Sequence, residues 1–183
     1  VAFINSEHEL NIQVLYDEEE CFDSAMAHYG KLVGVKNYIA LIGKKSSNLE
    51  EKLGYYGEQI VLELQDLGLN TCWVALTHGK SKALINKGEK EACLVSFGYG
   101  QSQGVAHKSK SLKDISNYQD GMPEWYLKGL ECALLAPTAI NQQKFYFELD
   151  GDEVKLKKGK GFYTGLDLGI VKYHFEIGAK RKI

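Results

Sequence analysis

The chain has 183 residues, 44% of them hydrophobic and 25% charged, which is too apolar for disorder and enough for a compact domain with a sizeable core. A net charge of −2 and a pI of about 6.2 provide no global field for nucleic acid or an anionic membrane. No run approaches the roughly 20 apolar residues of a membrane helix, so the sequence reads as a soluble, cytoplasmic protein.

Val1-Ala2-Phe3-Ile4 reads as part of a strand, and the first residue is not Met, so an N-terminal piece is expected to precede it. Leu10, Ile12, Val14 and Tyr16 alternate with period two, apart from inserted Leu15, and predict a half-buried strand. An acidic stretch, Asp17–Glu20, leads into a loop over Cys21–Gly34 punctuated by Gly30 and Gly34, and Val35–Ile42 then reads as an interior strand. Ser46-Ser47-Asn48 supplies capping side chains before Leu49, Leu53, Tyr56, Ile60 and Leu64, whose steps of three or four residues predict a long amphipathic helix ending at Leu67-Gly68. Thr71–Leu76 follows as a short buried strand, Ser81–Asn86 as a brief helix, and Ala92–Phe97 as a further strand.

Gly104–Ser116 is a polar, Lys-rich exposed connection. The turn Asp120-Gly121-Met122-Pro123 starts a helix over Glu124–Leu135, which Pro137 breaks. Gln143–Leu149 and Glu153–Leu156 flank the turn signal Asp150-Gly151 and predict a two-stranded ribbon. A last helix starts near Asp167, with Ile170, Tyr173, His174 and Ile177 on one side. With no repeat or linker, residues 1–183 read as a single α+β domain.

Little in this chain suits side-chain catalysis. Cys21, Cys72, Cys93 and Cys132 form neither a CxxC pair nor a His-Cys grouping, so no metal site is expected and the thiols read as reduced and buried. His28, His78, His107 and His174 stand apart from each other and from any cysteine, and His174 reads as structural. Gly98-Tyr99-Gly100-Gln101-Ser102-Gln103-Gly104 has GxGxxxG spacing, and lysine-rich sequence follows where an apolar helix should begin, which disfavours a dinucleotide loop. A serine nucleophile on a G-x-S-x-G turn is missing as well.

The distinctive segment is Leu134-Leu135-Ala136-Pro137-Thr138-Ala139-Ile140-Asn141-Gln142-Gln143. A helix ends at a proline, small residues allow close approach of a flat ligand, and the Asn141 amide can donate and accept together. By itself it equally suits a helix-capping turn.

This segment resembles the APSxxNxQPW motif of the FMN-dependent nitroreductases. Tyr55-Tyr56-Gly57-Glu58-Gln59-Ile60-Val61-Leu62 through Leu67-Gly68-Leu69-Asn70-Thr71-Cys72-Trp73 is similar to that family's central helix and GLGTCW turn. Leu166-Asp167-Leu168-Gly169-Ile170 with His174-Phe175 resembles the DxGIxxxHF helix of a branch of small nitroreductases, and the order of the blocks agrees. The resemblance implies a nitroreductase-like three-layer fold, a mainly antiparallel central sheet flanked by helices, and a homodimer. It implies FMN lined by Pro137, Thr138, Ala139, Asn141 and Gln143, with Trp73, Ala75 and Leu76 where the family's backbone passes the flavin N5. Ala75 and Leu76 replace glycines often found there. Lys108-Ser109-Lys110 is similar to the phosphate-binding K-S-R, although such a loop also suits plain solvation.

The implied chemistry is ping-pong transfer of hydride from NAD(P)H through the flavin to a nitroaromatic, quinone or similar acceptor, with no catalytic side chain. Two departures stand out: the family's RRSxR element has no counterpart, and its Pro-Trp is replaced by Lys144-Phe145. They leave open a flavin-binding protein of the same fold without turnover and, more remotely, a flavin-fragmenting activity.

Overall fold

The computed structural model describes residues 1–23 and 32–183; His28 and Gly30 of the expected loop lie outside the described residues. The chain forms two compact units, one of residues 1–49 and 59–104, the other of residues 50–58 and 105–183.

The first unit is built on a sheet of β1 (Gln13–Leu15), β2 (Asn37–Lys44), β3 (Asn70–Val74) and β4 (Glu89–Gly98) in the order β1-β2-β4-β3, all neighbours antiparallel. Interior β2 is buried at six successive positions, Tyr38–Gly43, because both its faces are covered. Cys21, Phe22, Tyr38, Ala40, Ile42, Val74 and Leu94 pack into one cluster of this unit's core. Three expectations change here. Ala2–His8 is a helix, α1, and Asn5, its fourth residue, exchanges hydrogen bonds with the Ile12 backbone at 2.8 Å each way, so the opening residues are no strand. The Thr71–Leu76 strand exists as β3, but at the sheet edge: Cys72 is exposed, because β4 is its only partner strand among the described residues. Ser81–Asn86 is not a helix. The Ser81 hydroxyl accepts from Ala83 N, a local bond that competes with helix formation, and Tyr38 Oη and Gln13 Oε1 accept from Lys82 N and Leu84 N.

Helix α2 (Leu49–Asp66) gives its residues 50–58 to the second unit and 59–66 to the first. Leu49, Leu53 and Ile60 of the predicted stripe are buried, and the helix stops where expected, with Gly68 at φ 80°.

The second unit joins α3 (Leu112–Ile115), α4 (Glu124–Ala133), a hairpin of β5 (Phe145–Asp150) and β6 (Glu153–Lys158), and α5 (Thr164–Ala179). The predicted ribbon is this hairpin, turning at Gly151-Asp152. Phe147 stacks on Phe175 at 4.5 Å, and Tyr126 meets Phe175 edge-on at 6.0 Å. Glycines let the helices touch: a Cβ at Gly169 would strike the Glu51 carbonyl, and one at Gly129 would lie 2.6 Å from the Phe175 ring. Two more expectations change. The Gly104–Ser116 connection ends in α3, where Ile115 is fully buried and Ser116 bridges Phe147 of β5. Ile177, placed with the buried face of the last helix, is 45% exposed.

Candidate functional site

Most of the expected site falls in one place in the second unit. After α4 the chain turns through Pro137 and Thr138 into a single 3-10 turn, Ala139–Asn141. Ile140, Asn141 and Gln143 take left-handed φ of 48°, 54° and 46°. Left-handed backbone is uncommon in residues other than glycine and an outlier for a β-branched residue such as Ile140, costing about 1–2 kcal/mol each. Such strain persists only where surrounding contacts over-determine it, and it concentrates at ligand sites.

Those contacts come from three directions. Gln143 is buried, and its amide braces the turn against the Lys108–Lys110 loop: Nε2 donates to Lys108 O at 2.8 Å and to Asn141 Oδ1 at 2.8 Å, while Oε1 accepts from Lys110 N at 2.8 Å. Lys110 Nζ donates to the Gln143 carbonyl at 2.7 Å. Thr138 Oγ1 accepts from Gln143 N at 3.0 Å. From the start of α5, buried Asp167 accepts from Ala139 N at 2.9 Å and from Gln142 Nε2 at 2.7 Å. Burial pushes the Asp167 carboxyl pKa up, and these two bonds pull against it without cancelling the rise. The loop is also tied to the end of α4, where the Leu134 carbonyl accepts from His107 Nε2 at 2.9 Å and Ser109 Oγ at 3.2 Å.

Asn141 is exposed. Among the described residues its Nδ2 donates once, to Lys108 O at 2.9 Å, and its Oδ1 accepts once, from Gln143. An amide has two N–H groups and two lone pairs, so one donor and one acceptor remain for a ligand. Lys108 is exposed and has no ion-pair partner among the described residues, whereas the Lys110 ammonium is engaged with the turn. Pro137 and Ala139 are half-buried.

The remaining expected residues belong to the first unit. Trp73 lies on β3 and is half-buried; Ala75, half-buried, and Leu76, 64% exposed, follow the end of that strand.

One constellation escaped the sequence. His174 of α5 is 6% exposed, and its Nε2 donates to Glu58 Oε1 of α2 at 2.7 Å, with Glu58 itself 1% exposed. Cys132 of α4 also favours the charged form of this imidazole. Burial disfavours charge on His174, yet Cys132 and the bond to Glu58 outweigh it and raise its pKa to about 9. Glu58 and His174 are 116 positions apart, so no spacing could reveal the pair. The thiols differ from expectation too: all four are free, but only Cys21 and Cys93 are buried, while Cys132 is half-buried and Cys72 exposed.

No helix among the described residues is long and apolar enough to cross a membrane. The antiparallel sheet, the α-helices and the helix–turn segment define an α+β protein of nitroreductase fold. The chain belongs to the nitroreductase family described as "Putative TM nitroreductase", whose model matches residues 1–179. It is similar to a crystal structure titled as a putative nitroreductase from Thermotoga maritima, with a TM-score of 0.68 and 24% identity over 94% of this chain and 69% of that one. No curated protein matches it.

Proposed function

We propose that this protein is an FMN-dependent oxidoreductase that takes hydride from NAD(P)H and passes it to a nitroaromatic, quinone or similar small acceptor, acting as a homodimer. The observation that carries this reading is the strained turn Ile140–Gln143, held open to the surface by Gln143 and Asp167 in a chain of the nitroreductase family. The residues fit the cofactor. Asn141 keeps one donor and one acceptor, which matches the alternating edge of an isoalloxazine, and the exposed Lys108 ammonium suits a phosphate.

FMN, when bound, supplies the two-electron chemistry. The chain's own residues bind and position. Asn141 would meet the ring edge, Pro137, Thr138 and Ala139 would form its small-residue wall, and Lys108 would meet the phosphate. Gln143 and Lys110, already committed to each other, would set the spacing between the turn and the basic loop. None of these roles requires a side chain to titrate.

The test is turnover. Purified protein supplied with FMN should oxidise NADH or NADPH only when a nitroaromatic or quinone is added. A protein that holds FMN but is inert with both nicotinamides and all acceptors points to the flavin-binding alternative.

A further inference from the structure

The run between the hairpin and α5, Lys158-Gly159-Lys160-Gly161-Phe162, presents charge and an aromatic ring that the proposed flavin residues leave unused. Its place is set by the flavin turn. Gly159 N donates to the Lys144 carbonyl at 2.8 Å, and Gln142 Nε2 donates to the Phe162 carbonyl at 2.7 Å, so the run is fastened to the residues that follow Asn141. A Cβ at Gly161 would lie 3.0 Å from Lys144 Cδ, so the bare backbone there gives the Lys144 stem room to lie against the run. The hairpin also sorts its lysines. Lys155 and Lys157, within β6, are ion-paired with Asp150 and Glu148 of β5. Lys144, Lys158 and Lys160, where the hairpin opens, are exposed and have no ion-pair partner among the described residues. Ammoniums left without a counter-charge suit a phosphate dianion. Phe162 is 75% exposed on a backbone held by Gln142. An exposed phenyl ring beside unpaired ammoniums is what a nucleotide calls for, the ring stacking on a base while the ammoniums meet phosphate.

We propose that this surface binds the adenosine 2′-phosphate end of NADPH, with Phe162 stacked on the adenine and Lys144 and Lys160 meeting the 2′-phosphate, and so makes NADPH the preferred hydride donor over NADH. The inference deepens the oxidoreductase reading and rests on it for the donor's role. In NADPH the 2′-phosphate lies at the far end of the molecule from the nicotinamide, so it must be met beside the flavin site and not within it, which leaves Lys108 and Asn141 to FMN. NADH would keep the stacking on Phe162 and lose the charge pairing. Lysine acts here as a point charge on a flexible stem, which suits a phosphate approached from solvent.

The test is calorimetric titration of the purified protein, supplied with excess FMN, with adenosine 2′,5′-bisphosphate and with 5′-AMP, which differ only in the 2′-phosphate. The bisphosphate should bind about tenfold tighter in dilute buffer, and the gap should close as salt is raised. Combining Lys144→Gln with Lys160→Gln, both at exposed positions, should bring it to the affinity of 5′-AMP. Phe162→Leu should weaken both fragments about tenfold and keep their ratio. In turnover, kcat/KM for NADPH should exceed that for NADH by about tenfold, and the double variant should bring the two to parity. Absence of binding, equal affinity of the two fragments for the unmodified protein, or a preference that survives in the double variant overturns the proposal. The two readings fail separately: a protein that takes up no FMN loses its flavin site, while the fragment titration, run then on the protein alone, still decides the nucleotide surface.

Discussion

The buried His174–Glu58 pair makes stability depend on pH in a defined direction. The imidazole pKa is raised from 6.5 to about 9, because Cys132 and the bond to Glu58 outweigh its desolvation. A group whose folded pKa is raised binds its proton more tightly in the native state, so its contribution is complete below pH 6.5 and is lost as pH climbs through 9. At roughly 1.4 kcal/mol per pH unit, that interval corresponds to at most about 3 kcal/mol, a large share of the 5–15 kcal/mol typical of a domain. Urea unfolding of the wild type and of His174→Gln, repeated from pH 6 to pH 9.5, isolates the effect. Other titrating groups are common to both proteins, so the stability difference between them should shrink by about 2–3 kcal/mol as pH rises. Parallel pH profiles would show that His174 carries no extra proton in the folded state and would remove this account of the pair.

Asn141→Ala should keep the fold but lose about 1–2 kcal/mol in urea unfolding with its bonds to Lys108 and Gln143, and should weaken FMN binding about tenfold, the loss of one or two hydrogen bonds, as read by quenching of flavin fluorescence. Asp167→Asn replaces an acceptor of the Gln142 amide by a donor; it should cost about 1–3 kcal/mol in urea unfolding and loosen FMN as well, since the turn loses its anchor. Gly169→Ala drives a methyl into the Glu51 carbonyl and should lower the melting temperature by about 3–10 °C in a thermal scan, with unchanged melting arguing against the tight helix crossing. Lys108→Ala should weaken FMN more at low salt than at high salt, while binding of riboflavin, which has no phosphate, stays the same.

How far the sequence could be read depended on the range of the forces involved. The α2 stripe, the β5–β6 hairpin and the break at Pro137 are local matters of period, turn residue and ring geometry, and each lies within a residue or two of expectation. Ser81–Asn86 misled because its fate is decided by Tyr38 and Gln13, partners distant in sequence. Likewise β3 has the composition of a buried strand, but its edge position follows from sheet order, which composition does not encode. Within the site, Asn141 and the Lys108–Lys110 loop were visible as motifs, yet the bond that joins them through Gln143 spans 33 to 35 positions. Gln143 was expected to line the flavin, and its amide braces the turn against the loop, a role no local pattern announced. The Glu58–His174 pair had no local signature whatever.

The most direct test of the central claim is equilibrium titration of the protein with FMN, followed by flavin fluorescence and the visible spectrum. The account predicts saturable uptake with a shifted, structured flavin band, weakened in Asn141→Ala. A folded protein that leaves free FMN unquenched at every concentration would contradict it.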